Sequence, residues 1–175
     1  MFSGWQSFYQ TTAEAAATLT GLMFIVATLT AGRQASRVAT RGQVLFTTPS
    51  VFHFVSVFAI SALALTAGRE GDCPSAIMTV WSLFGLAYAV WLAVQIGAID
   101  NPSHWSDLGW YGVAPALTYA VLAAACALAW AHIPHAPYAV ALALLVLLII
   151  AIRNAWDLVT WLAPRRDGGS AGDGR

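Results

Sequence analysis

Long stretches without charge, broken by short polar segments, organise this chain. A helix needs about 20 consecutive apolar residues to span a bilayer core of about 30 Å. Five stretches satisfy this, at about 11–31, 47–67, 76–99, 111–131 and 138–162. Pro74, Pro102, Pro134, Pro137 and Pro164 fall between or just outside them, as helix punctuation. Pro115 falls in the first turn of the fourth, where its missing N–H is tolerated. The connections are short, so consecutive helices should be antiparallel neighbours. The pattern predicts an all-α integral membrane bundle of five transmembrane helices, forming one domain over residues 1–163. Residues 164–175, rich in Gly and Asp, are expected to be a disordered cytoplasmic tail.

Within the apolar stretches, small residues recur every four positions. Ala13, Ala17 and Gly21 form one stripe; Gly85, Ala89, Ala93 and Gly97 a second; Ala116, Ala120 and Ala124 a third. In lipid, such stripes let helix backbones approach closely. They serve either a tight monomeric bundle or the seam of an oligomer, and the pattern alone leaves both open.

Composition agrees with the pattern. Of 175 residues, 59% are hydrophobic and 9% charged, with mean hydropathy +0.69. Soluble domains carry roughly 25% charged residues, so this chain has too few to cover a water-facing surface. All eight basic residues are Arg, balanced by eight acids. A nucleic-acid partner would call for a basic face, and none is present; the lipid bilayer is the partner this composition implies. Met1–Gln10 has no basic residue and Glu14 interrupts the first apolar run. That run therefore reads as a retained helix rather than a secretory signal. Cys73, in a short loop, and Cys126, in an apolar helix, show no metal-type spacing. They read as unpaired thiols, with a disulfide near the outer surface as the alternative.

Arginine sets the expected orientation. Arg33, Arg37 and Arg41 lie in the first loop, and Arg165 and Arg166 follow the last helix. The second loop has Arg69 beside Glu70 and Asp72, and the third and fourth loops have no Arg. Five helices then place the N-terminus outside and the C-terminus in the cytoplasm. Trp5, Trp105, Trp110 and Trp161 flank the apolar stretches as interfacial anchors.

Against this background Arg153 and Asp157 stand out, four residues apart in the last apolar stretch. Charges inside a membrane span are expensive and need partners or a function. Side chains lean toward the helix N-terminus, which here points Arg153 into the membrane and Asp157 back toward Arg153. An i,i+4 ion pair is expected. Counting from the helix ends places His53, Gln95, Arg153, Asn154 and Asp157 at one depth, in the cytoplasmic half. That polar layer is either a lock between helices or the inner mouth of a pathway. Glu14, near Gln10 and Thr18, belongs to the outer end of the first helix and reads as interfacial, its carboxylate in headgroup water, with an outer gate as its sharper alternative. His104, Asp107 and Asp100 in the third loop, and His132 and His135 around the fourth, read as solvated loop residues. His53 has no second His at helical spacing, so neither a metal nor a haem is expected. No metalloprotease His pair, nucleophile elbow or phosphate-cradling glycine loop occurs. No catalytic residue and no cofactor are expected.

Three segments carry a resemblance. They are Ala15–Val26 ahead of the Arg-bearing loop, Val51-Phe52-His53-Phe54, and Ile152-Arg153-Asn154-Ala155-Trp156-Asp157-Leu158. Together they resemble a group of small, largely uncharacterised bacterial multi-pass membrane proteins, some labelled modulators of a membrane-bound ATP-dependent protease. The resemblance implies a bacterial inner membrane and carries over no active-site residue. The expected function is that of a non-enzymatic accessory or regulatory protein. It would act through helix–helix contacts with a copy of itself or a larger membrane protein. The alternative is a small channel or transporter for an ion, a proton or a solute, lined by His53, Arg153 and Asp157.

Overall fold

The five apolar stretches fold as five long helices. The structure is a computed structural model, and it describes residues 2–31, 37–67, 73–98 and 108–162. After a 3-10 turn at Ser3–Trp5, α1 runs Gln6–Ala31, α2 Arg37–Thr66 and α3 Cys73–Gly97. Helix α4 spans Leu108–Trp130, opening with a π-turn at Leu108–Val113 and continuing as α-helix over Ala114–Trp130. Helix α5 is Ala136–Leu162. No strand occurs among the described residues. All five helices are long and apolar enough to cross a membrane.

The helix starts differ from those expected. Helix α2 begins at Arg37, ahead of its apolar portion Thr48–Thr66. Arg37 and Arg41, assigned above to the first loop, therefore lie on helical backbone. Hydropathy marks where a helix could enter lipid, whereas Arg, Ala and Gln continue a helix well beyond that point. Pro49 falls inside α2, a position that membrane helices tolerate better than soluble ones. Pro74 and Pro137 are not outside their helices but in their first turns, where an N–H has no intrahelical acceptor anyway. Cys73 is the first residue of α3 rather than part of a loop; it is exposed, Cys126 is buried, and both are free.

The connection from α4 to α5 is closed by backbone. Ile133 N–H donates to Leu128 O at 3.0 Å and His132 N–H to Ala129 O at 3.1 Å. His132 takes the left-handed conformation, φ 60°, that this helix-ending motif requires. The other connections, with Arg33, Arg69, Glu70, Asp72, Asp100, His104, Trp105 and Asp107, lie outside the described residues. So do the 164–175 segment and its Arg165 and Arg166.

Two glycines bring α3 and α4 together. A Cβ on Gly112 would stand 2.7 Å from the Ala93 Cβ, and one on Gly85 would strike the Tyr119 ring. These two contacts run antiparallel, as the short connections predict. The α3 stripe thus works inside the protein, with Gly85 and Ala89 buried. The α4 stripe turns outward at Ala120 and Ala124, and α1 exposes Ala17 and Gly21 while burying Ala13. The core lies between α2, α3, α4 and α5, around Val57, Ile60, Met78, Leu122, Leu144 and Leu147. At the end where α1 and α5 both begin, Trp5 packs edge-on to Tyr138 with centroids 4.6 Å apart. There the buried Tyr9 hydroxyl donates to the Pro137 carbonyl at 3.0 Å.

Candidate functional site

Polar side chains collect in two places. The first lies where the last turns of α5 meet the π-turn of α4. Arg153 Nη1 sits 2.7 Å from Asp157 Oδ2, an i,i+4 pair with side chains 33% and 43% exposed. The guanidinium carbon lies 4.3 Å from the centroid of the Trp110 ring, within cation–π range. Arg153 Nη1 also donates to Asn154 Oδ1 at a long 3.4 Å. Asn154 is fully buried. Its Nδ2 donates to the Trp110 carbonyl at 3.1 Å, and its own carbonyl accepts from the Tyr111 hydroxyl at 3.0 Å.

The π-turn makes this possible. Its wider coil takes backbone groups out of the ordinary α ladder, and such turns recur at functional sites. A side-chain amide on the next helix then serves a carbonyl of the turn. Asn154 is therefore a tie between α4 and α5, and Arg153 covers that tie from outside.

The second cluster is buried between α2, α3 and α4. His53 is fully buried and its Nδ1 lies 3.1 Å from the Tyr119 hydroxyl. One turn along α2, buried Ser56 accepts from Trp81 Nε1 at 3.1 Å. Phe52 packs on Tyr88 with ring centroids 4.6 Å apart and edges toward Tyr119 at 6.1 Å. The other His53 nitrogen, Nε2, has no hydrogen-bond partner among the described residues.

The structure therefore brings together Arg153, Asn154 and Asp157 but not the whole expected layer. Tyr111, which serves the first cluster, and Tyr119, which serves the second, are eight residues apart on α4, or about 12 Å. His53 belongs to that second level. Gln95 belongs to neither cluster: it is exposed on α3 next to the buried Ile96. Glu14 is exposed on α1 and accepts from Gln10 Nε2 at 3.0 Å, with Thr18 Oγ1 donating to its backbone carbonyl at 2.8 Å.

Tyr119, Tyr111 and the carbonyl of Trp110 were not singled out from the sequence. Nothing in Leu108-Gly109-Trp110-Tyr111-Gly112-Val113 announces a π-turn. Tyr119 did leave a signal, as a large polar aromatic in a helix otherwise built largely from Ala, Leu and Val. Among the described residues, no three His, Cys, Asp or Glu side chains converge as a metal site would need. Comparison with family models, curated proteins and solved structures finds no match for this chain.

Proposed function

We propose that this chain is a non-enzymatic polytopic protein of a bacterial inner membrane, N-terminus outside and C-terminus cytoplasmic. Its role is that of an accessory or regulatory subunit acting through helix–helix contacts. One observation carries the reading. In the apolar windows of their spans, 22% of α1 and 28% of α3 are buried inside the protein, against 50% for α2, α4 and α5. Meanwhile several inward polar groups are spent on ties between helices: Asn154 to Trp110, Tyr111 to Asn154, His53 to Tyr119 and Trp81 to Ser56. A helix so little used by its own bundle is available to another protein.

Photo-cross-linking residues placed one at a time on the exposed faces of α1, α3 and α4, in native membranes, test this. Cross-links to a discrete membrane protein are expected. Recovery of protomers alone from every face would refute the reading.

A second reading has its own support. The unpartnered Nε2 of buried His53 favours a small channel or transporter with His53, Arg153 and Asp157 on its path. It requires a hydrated route across the roughly 12 Å between the two clusters. Liposome flux that is lost in His53→Ala and in Asp157→Asn would support it; flux equal to empty liposomes would end it.

A further inference from the structure

The buried polar groups of the core line up as a column. His53, Ser56, Ser82, Tyr119 and Cys126 are all fully buried. His53 Nδ1 meets the Tyr119 hydroxyl at 3.1 Å. Ser56 stands next to that hydroxyl and accepts from Trp81 Nε1. Ser82, the residue after Trp81, lies 3.9 Å from the Cys126 thiol. Tyr119 and Cys126 are seven residues, about two turns, apart and so share one side of α4. The thiol is near enough to buried Tyr9 for the two to interact electrostatically. Tyr9 ends the column on the Pro137 carbonyl, where α1 and α5 begin. In the other direction, buried Ser50 lies one turn of α2 from His53, on the side of the Tyr111–Asn154 cluster.

Two buried atoms along α2 have no hydrogen-bond partner among the described residues, His53 Nε2 and Ser61 Oγ. In a membrane bundle a polar atom left so is costly. A serine relieves this by turning to a carbonyl one turn back. Nε2 has no such local escape. The imidazole is thus held at one nitrogen and open at the other, among hydroxyls and a thiol that each donate and accept.

We propose that this column is a proton path and that the proton is the only species it carries. The proposal rests on the second reading above and names its cargo. A proton arriving at Nε2 forms an N–H bond there. The proton on Nδ1 leaves to the Tyr119 oxygen, whose own proton passes to Ser56. One proton enters the ring and one leaves, and a flip of the imidazole restores the starting tautomer. Packed hydroxyls, thiol and imidazole suffice for such hops. A metal cation or a solute needs an open or charged route. Among the described residues no Asp or Glu is buried, and Val57, Ile60, Met78 and Leu122 fill the surrounding core. The titratable groups facing His53 are Tyr119 on α4 and, one ring further, Tyr88 on α3. The charged residues of α1 and α5 lie elsewhere, with Glu14 exposed and Arg153 paired to Asp157. Between Ser50 and Tyr111 about 8 Å remains, short enough for water to bridge.

The test uses the full-length protein in liposomes loaded with a pH-sensitive dye, with the voltage set by potassium and valinomycin. Proton flux above that of empty liposomes is expected. Without valinomycin, dyes for sodium, potassium and chloride should report no leak. His53→Asn, Tyr119→Phe and Cys126→Val should each lose the proton flux. Cys126→Ser, which keeps a group that donates and accepts, should retain it, and the helical circular dichroism signal verifies that each variant folds. Proton flux that survives in any of the first three variants, or that Cys126→Ser loses while folded, overturns the inference. Flux of sodium, potassium or chloride also overturns it and leaves the second reading standing. Flux equal to empty liposomes for every species ends both.

Discussion

Gly85→Ala tests the close approach of α3 to Tyr119 in the buried His53 cluster. The new Cβ would lie 2.6 Å from Tyr119 Cδ1 and 2.8 Å from Cζ, and nearer still to Cε1. Carbon atoms rest at about 3.5–4.0 Å, so the ring or the helices must yield by about 1 Å. Tyr119 has little room: it is fully buried and lies against Phe52 and His53. Its hydroxyl sits 3.1 Å from His53 Nδ1, and a shift of that size breaks the bond. Overpacking typically costs 1–3 kcal/mol. A hydrogen bond between membrane helices adds about 0.6 to 1.7 kcal/mol. Replacing a helical Gly by Ala returns up to about 1 kcal/mol. The net expectation is a loss of about 1–3 kcal/mol, read from unfolding in mild detergent. Gly97→Ala, where a Cβ meets nothing within 4 Å, calibrates the helix-propensity gain. The mechanism also predicts coupling. Tyr119→Phe should cost about 1–3 kcal/mol alone, by leaving His53 Nδ1 buried and unpaired. It should cost clearly less in the Gly85→Ala background, where that bond is already gone. A Gly85→Ala protein within about 0.5 kcal/mol of the parent, or strict additivity with Tyr119→Phe, would refute the reasoning.

The remaining predictions concern the α4 seams. Gly112→Ala pushes against the Ala93 backbone, with Cα 2.9 Å away, so α3 and α4 must part; a loss of about 1–3 kcal/mol is expected, and no loss would mean that the two helices slide freely. Asn154→Ala strips the Trp110 carbonyl of its donor, at about 1–3 kcal/mol, with a changed Trp110 environment in fluorescence as the second readout. Arg153→Met should destabilise more than Asp157→Asn. Arg153 also loses the Trp110 ring and Asn154 Oδ1, whereas a part-exposed ion pair alone is worth roughly 0–1 kcal/mol. The reverse order in thermal unfolding would show that the acid, not the base, holds this corner.

The helices were legible because a bilayer-length apolar run is a strong, local signal. Their starts were not, because hydropathy is blind to a helix continuing through Arg37–Gln43. The Arg153–Asp157 pair followed from spacing alone. The level of His53 did not follow from counting residues off an apolar stretch. That depends on how α2 slides along α3 and α4, which Gly85 and Tyr119 decide. Gln95 was within reach of the sequence. The buried face of α3 runs through Met78, Ser82, Gly85, Ala89, Leu92 and Ile96, and Gln95 falls one residue, about 100°, off it. Trp110 and Tyr111 were out of reach, since a π-turn displaces the periodicity on which such a reading depends.

The bond from Tyr9 to the Pro137 carbonyl joins residues 128 positions apart. During synthesis the chain is made from its N-terminus at about 5–20 residues per second. At that pace, about 6 to 26 seconds separate the making of Tyr9 from the making of its acceptor. For that interval the N-terminal end of α1 lacks the tie that fastens it to α5. Until then α1 is held by α2, the next helix made and its main packing neighbour, so its tie to α5 is among the last long-range bonds the bundle can form.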